Sequence, residues 1–267
     1  MARQKSALKY VGTIGDIRHF RIKGNKGYFA GMVGGPSAEQ IATDPAFKRT
    51  RENMNEFAGS ATTGKSFRNG ISGLIKSNGD SQVTGRITAI MKKINLEDGS
   101  EVRGKRAVLI TQVPHYLVGF EFNKFTSFGG VFKAPYTLTP STGRESSRLE
   151  VPSFNPLDSL YVPAGATHFR LLNVLTVVSD FSYNETTKVY EPKDVSVNEL
   201  TAVERSEYTS VSEPTTLISL ASALPGTPVL SNDVSVVNIL AIEFYQEVNG
   251  SYYQFSQGNA MKVAAVY

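Results

Sequence analysis

The chain has no cysteine, which excludes disulfides, thiolate metal sites and cysteine nucleophiles. It has no apolar run of about 18 residues, so no membrane span is expected. The opening, MARQKSALKYVG, is basic but has no apolar stretch or small-residue cleavage site behind it, which argues against a signal peptide. A cytoplasmic protein fits, as does a virion protein assembled in the bacterial cytoplasm. Histidine is scarce: His19, His115 and His168 stand singly, none at metal-ligand spacing to another. There is no Gly-x-Ser-x-Gly elbow and no carboxylate pair that stands out from ordinary surface acids. No catalytic residue, metal, cofactor or small-molecule substrate is therefore inferred. Zinc fingers, base-stacking signatures, helix-turn-helix patterns, fixed-period repeats and low-complexity linkers are missing too.

What is present is a globular composition. The 267 residues are 40% hydrophobic and 19% charged, enough for one large or two modest domains with their own cores. The net charge of +4 is unevenly spread. Residues 1–106 hold 19 Lys and Arg against 9 Asp and Glu, whereas residues 107–267 hold 9 against 15. Such asymmetry suggests a basic segment meeting nucleic acid or an acidic surface, or basic-on-acidic docking between copies of one chain.

The stretch ALKYVGTIGDIRHFRIKGNKGYFAGMVGG predicts a three-strand meander with turns at Gly15-Asp16 and Gly24-Asn25-Lys26-Gly27. So few short strands are marginal alone, so they must lie on another surface. Helical grammar follows over 36–96. Ser37-Ala-Glu-Gln40 has capping-box spacing, and Asp44-Pro45 reads as a cap before a first-turn proline. Phe47, Met54, Phe57, Ala58 and Ala61 recur on one predicted helical face, and the stripe resumes at Phe67, Ile71, Leu74 and Ile75. A second helix is built on Val83, Ile87, Ile90 and Ile94. From about residue 107 the texture is β, with RAVLITQV, YLVGFEFNKF, GVFKAPYTL, SRLEVPSF, THFRLLNVLTVVSDFSY, VVNILAIEFYQEV, SYYQF and AMKVAAVY as strand runs. Val248-Asn249-Gly250-Ser251 is the clearest hairpin. The expected fold is α+β: an N-terminal β-meander and helical hairpin over 1–106, then an antiparallel β-sandwich over 107–267.

One motif is catalytic in spelling. Gly59-Ser-Ala-Thr-Thr-Gly64-Lys65-Ser66 matches the phosphate-binding loop of nucleotide hydrolases. Its context disagrees, because FKRTRENMNEFA, which precedes it, is too charged for a strand buried on both faces. A magnesium-holding carboxylate sought at Asp180 lies in the β-rich half, with no strand–helix alternation between. Gly59 and Gly64 each cost about 1 kcal/mol inside a helix, so a break near 59–64 is expected. Lys48, Arg49, Arg51, Lys65 and Arg68 form a basic series that could meet phosphates or an acidic protein surface.

MARQK, GTIGDI, DPAFKRTREN, AIEFYQEVNG and QGNAMKV together resemble an uncharacterised family of bacterial proteins. The resemblance spans nearly the whole chain and is most specific from Asp44 to Asn53. It implies one two-part architecture and assigns no activity or site residue. The combined expectation is a non-enzymatic structural protein, possessing copies of itself as partner, that forms a homo-oligomer, filament, tube or shell of the kind found in phage particles. Tyr10, Ile14, Phe20, Ile22, Tyr28 and Phe29 are its candidate assembly residues. The alternative is a nucleic-acid-associated protein using the basic helical segment.

Overall fold

The computed structural model describes residues 2–267, which form an α+β fold with antiparallel sheets. The chain divides into two compact units, Met1–Arg51 and Glu52–Tyr267. The expected boundary at 106/107 therefore lies inside the second unit.

In the first unit, β1 (Ala2–Arg3), β2 (Gly12–Ile14), β3 (Ile17–Arg21) and β4 (Tyr28–Met32) form one sheet in the order β1-β4-β3-β2. Gly15 and Gly24 sit in its turns at φ +57° and +84°, where a side chain would strain the backbone. The meander is thus present, with β1 added. Helix α1 (Ala38–Thr43) starts on the capping box: the Gln40 amide donates to Ser37 Oγ at 3.1 Å, and the Ser37 amide to Gln40 Oε1 at 2.7 Å. Asp44 then caps a 3₁₀ turn, accepting from the Ala46 amide at 2.8 Å. The division between units falls within α2 (Lys48–Gly70).

The second unit continues with α3 (Ser72–Asn78), α4 (Val83–Glu97) and the short α5 (Phe128–Val131). Strands β5 (Thr137–Pro140) and β6 (Ser146–Val151) precede a one-turn α6 (Pro156–Ser159). There follow β7 (His168–Ser179), β8 (Phe181–Asn184), β9 (Val189–Pro192), β10 (Thr201–Arg205), β11 (Thr209–Ser210) and β12 (Ile218–Ala223). The last three are β13 (Val234–Val248), β14 (Ser251–Gln254) and β15 (Ala260–Val266). The main sheet runs β10-β7-β13-β14, with β11 also on β7 and β15 also on β13; β12-β6-β5 and β8-β9 form smaller sheets.

β7 and β13 are buried on both faces, so apolar residues run continuously along them. Leu172, Val174, Val178, Val237, Ile239 and Ala241 pack with Phe67, Ile71, Ile87, Met91 and Ile94 of the helices. The opposite face, with Phe169, Leu171, Leu240, Ile242 and Phe244, packs on Leu149, Val151 and Leu220 of the three-stranded sheet. The sandwich is present, and a helical layer covers its main sheet. Asn173 stitches the two sheets, donating to the carbonyls of Ser147 at 2.9 Å and Leu220 at 3.1 Å and accepting from Asn238 at 2.7 Å.

Three expected strands are corrected, GVFKAPYTL being helical at Gly130–Val131 and a strand only from Thr137. Ala107–Val113 contains a 3₁₀ turn (Ile110–Gln112), and Tyr116–Phe125 is irregular apart from a single bridge at Glu121. Their apolar residues Val108, Ile110, Leu117, Phe120 and Phe122 join the core between helices and sheet. Burial, not strand pairing, explains their composition. The Asn-Gly hairpin is as expected: Val248 pairs with Ser251, and Asn249 and Gly250 have φ of +54° and +80°.

The segment leaving α4 is tied down by buried acids. Glu56, 1% exposed, accepts from Lys92 at 2.5 Å and from the Gly104 amide at 2.7 Å, with Arg106 at 4.0 Å. Asp98 accepts from the Ala107 amide at 2.7 Å and the Ser100 hydroxyl at 2.6 Å. Burial pushes the Glu56 carboxyl up, but Lys92, the Gly104 amide and Arg106 outweigh it and hold it below its ordinary value. Asp98 is lowered in the same way, burial being outweighed by Ser100 and backbone amides. A depressed folded-state pKa stabilises above the unfolded carboxylate range and ceases to do so as pH falls through the folded value. Stability should therefore drop below about pH 4. Glu56→Gln should be less stable at neutral pH and show a shallower acid decline in urea titrations at about pH 5 and pH 3; an unchanged slope would contradict the assignment.

Candidate functional site

The phosphate-loop letters lie within α2, whose helix runs unbroken from Lys48 to Gly70. The expected break at 59–64 does not occur. The amides of an anion cradle must be free, and in mid-helix they are used by the preceding turn. Asp180 serves elsewhere too, 2% exposed and accepting from the Thr111 hydroxyl at 2.6 Å.

The expected apolar face of α2 is also corrected. Met54 and Phe57 are 57% and 58% exposed, whereas Glu56, Gly59, Ser60, Thr63, Gly64, Ser66 and Phe67 are buried. Small side chains are buried because the neighbours come close. A Cβ at Gly59 would lie 2.5 Å from the Tyr190 ring, and one at Gly64 would lie 3.2 Å from Ile87 Cγ2. Gly70 is equally confined, 2.5 Å from Thr176 Oγ1. Two hydroxyls on this face are satisfied locally, Ser60 donating to Glu56 O at 2.8 Å and Thr63 to Gly59 O at 3.0 Å, whereas Ser66 bonds Asn198. The motif is a packing stripe.

The basic series does not form a uniform surface. Arg51 donates to the carbonyls of Ile41 at 2.7 Å and Asp44 at 2.9 Å. Arg68 donates to Gly64 O at 3.0 Å and Thr84 Oγ1 at 2.8 Å. Lys48, Arg49 and Lys65 are exposed. Further along, Lys92, Arg103, Lys105 and Arg106 pair with Glu56, Glu52, Glu185 and Glu56 respectively.

The six candidate assembly residues all belong to the first unit but do not share one face. Phe20 and Phe29 are cross-strand partners, their rings stacked with centroids 6.2 Å apart. Tyr28 lies opposite Arg21, whose guanidinium is 5.1 Å from its ring, and Tyr10 meets His19 edge-on at 6.0 Å. By strand alternation Arg21 and His19 lie on the face opposite Phe20. Ile14, 60% exposed, faces Ile17 in the β2–β3 pair, and Ile17 faces Met32 in the β3–β4 pair. Directly opposed residues share a face, so Ile14, Ile17 and Met32 form one row across three strands. Ile17 and Met32 are 46% and 80% exposed. Sequence reading missed both as surface residues, although strand alternation could have placed Ile17. Ile22 follows β3 at 38% exposure. Among the described residues of this unit only Gly27 is buried.

Among the described residues no group of three or more potential metal ligands occurs, and no helix is long and apolar enough to cross a membrane. Comparison with protein-family models, curated proteins and solved structures gave no match, so the family resemblance rests on its motifs alone.

The packing stripe makes a two-sided test. Gly59→Ala should destabilise by about 1–3 kcal/mol despite alanine's higher helix propensity, because Tyr190 is buried and anchored to Arg106 O. Gly85→Ala, on α4 with nothing within 4 Å, should stabilise by up to about 1 kcal/mol. Urea unfolding of both variants decides; a stabilised Gly59→Ala would contradict the close approach.

Proposed function

We propose that the chain is a non-enzymatic structural protein that assembles with copies of itself into a homo-oligomer, filament, tube or shell. The observation that carries this reading is the row Ile14–Ile17–Met32, exposed on a sheet whose unit buries no apolar side chain among its described residues. A four-stranded sheet without a core is marginal in water, and a covering surface would supply the missing burial. Met54 and Phe57 add a second exposed apolar surface in the other unit. Charge complementarity favours a second copy as the cover. Residues 1–51 hold ten Lys and Arg against three Asp and Glu, and residues 52–267 hold 18 against 21. Phage particles and a bacterial cytoplasmic origin fit such an assembly.

Nucleic-acid binding is the second reading, favoured by the +7 balance of residues 1–51. It requires binding that weakens steeply with salt in a gel-shift titration.

Light scattering and negative-stain microscopy of the purified protein test the first reading. Large species are expected at micromolar concentration, and Ile17→Lys with Met32→Glu, an opposed pair of unlike charge, should shift them to monomer while the second unit, which has its own core, stays folded. A monodisperse wild-type monomer at physiological salt would contradict assembly.

A further inference from the structure

The end of α2 and helix α3 stand against β10, β13 and β14 across a groove of about 480 Å³. That volume lies within the roughly 300–1,000 Å³ typical of ligand pockets. Ile71, Leu74 and Val203 give it apolar walls, and Glu243 and Tyr245 give it a polar floor. Glu243 is 4% exposed and accepts from two neutral donors, Asn78 Nδ2 at 2.9 Å and the Tyr245 hydroxyl at 2.8 Å. Burial and the bond to Glu243 push the Tyr245 phenol up, so it remains a donor.

No Lys or Arg forms an ion pair with Glu243 among the described residues. Arg170 stands directly opposite it in the β7–β13 pair. Its guanidinium is committed elsewhere: Nε donates to Ser206 O at 2.6 Å, and Cζ lies 4.5 Å from the Tyr208 ring. Arg205, on the groove's rim, is exposed. Beside the carboxylate, Asn78 is 2% exposed and its Oδ1 has no hydrogen-bond partner. A buried carboxylate that lines a groove and has no ion-pair partner calls for a donor that carries positive charge.

We propose that this groove receives a lysine side chain from the β3–β4 turn of a second copy of the chain. The turn presents Lys23 and Lys26, both exposed, between the paired strands β3 and β4. An ammonium group brings three donors and the positive charge that the two neutral donors on Glu243 lack. The apolar walls would take the lysine methylenes. This assignment rests on the self-assembly reading and names a contact that would join one copy to the next.

A labelled peptide of residues 21–29 (RIKGNKGYF) titrated against the full chain by fluorescence anisotropy tests the groove directly. Glu243→Gln should weaken binding roughly thirtyfold or more, and so should removing both lysines from the peptide. Because Glu243 is buried, the second variant is Lys23→Ala with Lys26→Ala in the full chain, at exposed positions that do not endanger folding. It should reduce self-association measured by sedimentation velocity. Peptide binding that ignores both Glu243 and the lysines would overturn the groove assignment while leaving assembly standing. Lysine-dependent peptide binding by a chain that never self-associates would overturn the second copy as the source of the lysine together with the assembly reading.

Discussion

The pairing of β7 with β13 sets the conditions for everything else in the second unit. Twelve residue pairs join them, from Val234 opposite Ser179 to Tyr245 opposite His168. Buried on both faces, such a pair needs two covers. The helices supply one and the β12-β6-β5 sheet supplies the other. Each strand carries one central asparagine, Asn173 and Asn238, and their mutual bond keeps the buried amides satisfied while Asn173 reaches the opposing sheet. The groove beneath α3 arises at the end of this ladder, where Glu243 replaces an apolar residue on the helix-facing side.

Close approach is the second constraint. α2 lies near enough to Tyr190 and Thr176 that a Cβ at Gly59 or Gly70 would overlap them, and Gly64 lies tight against Ile87. The helix therefore buries small and hydroxyl side chains and leaves Met54 and Phe57 in water. A pattern spelling a phosphate loop is the by-product of that geometry.

What could be read from sequence was encoded locally. The capping box at Ser37, the Asp44 cap and the Asn249-Gly250 turn act within a few residues, and the structure has all three. So too the α4 face of Val83, Ile87 and Ile94, where apolar periodicity and burial coincide. The orientation of α2 was not legible, because periodicity assumes that the buried face is the greasy one. Residues 107–125 misled for a related reason: apolar residues plugging a core resemble a strand until their pairing is known. Glu243 and Leu74 are far apart in the chain, so the groove they line could not be seen in one dimension. The cross-strand row of Ile14, Ile17 and Met32 needed the register of two hairpins.

The two units differ in what holds them. Glu52–Tyr267 has three apolar clusters of its own, whereas the described residues before it bury only a glycine. On the proposed function the first unit gains its order from a neighbouring copy. Native-state hydrogen exchange at low and high protein concentration tests that most directly. Amides of β7 and β13 should be slow at both concentrations, and those of residues 12–32 should be fast when dilute and slow when concentrated. Equal, strong protection of residues 12–32 in a dilute monomer would contradict the account.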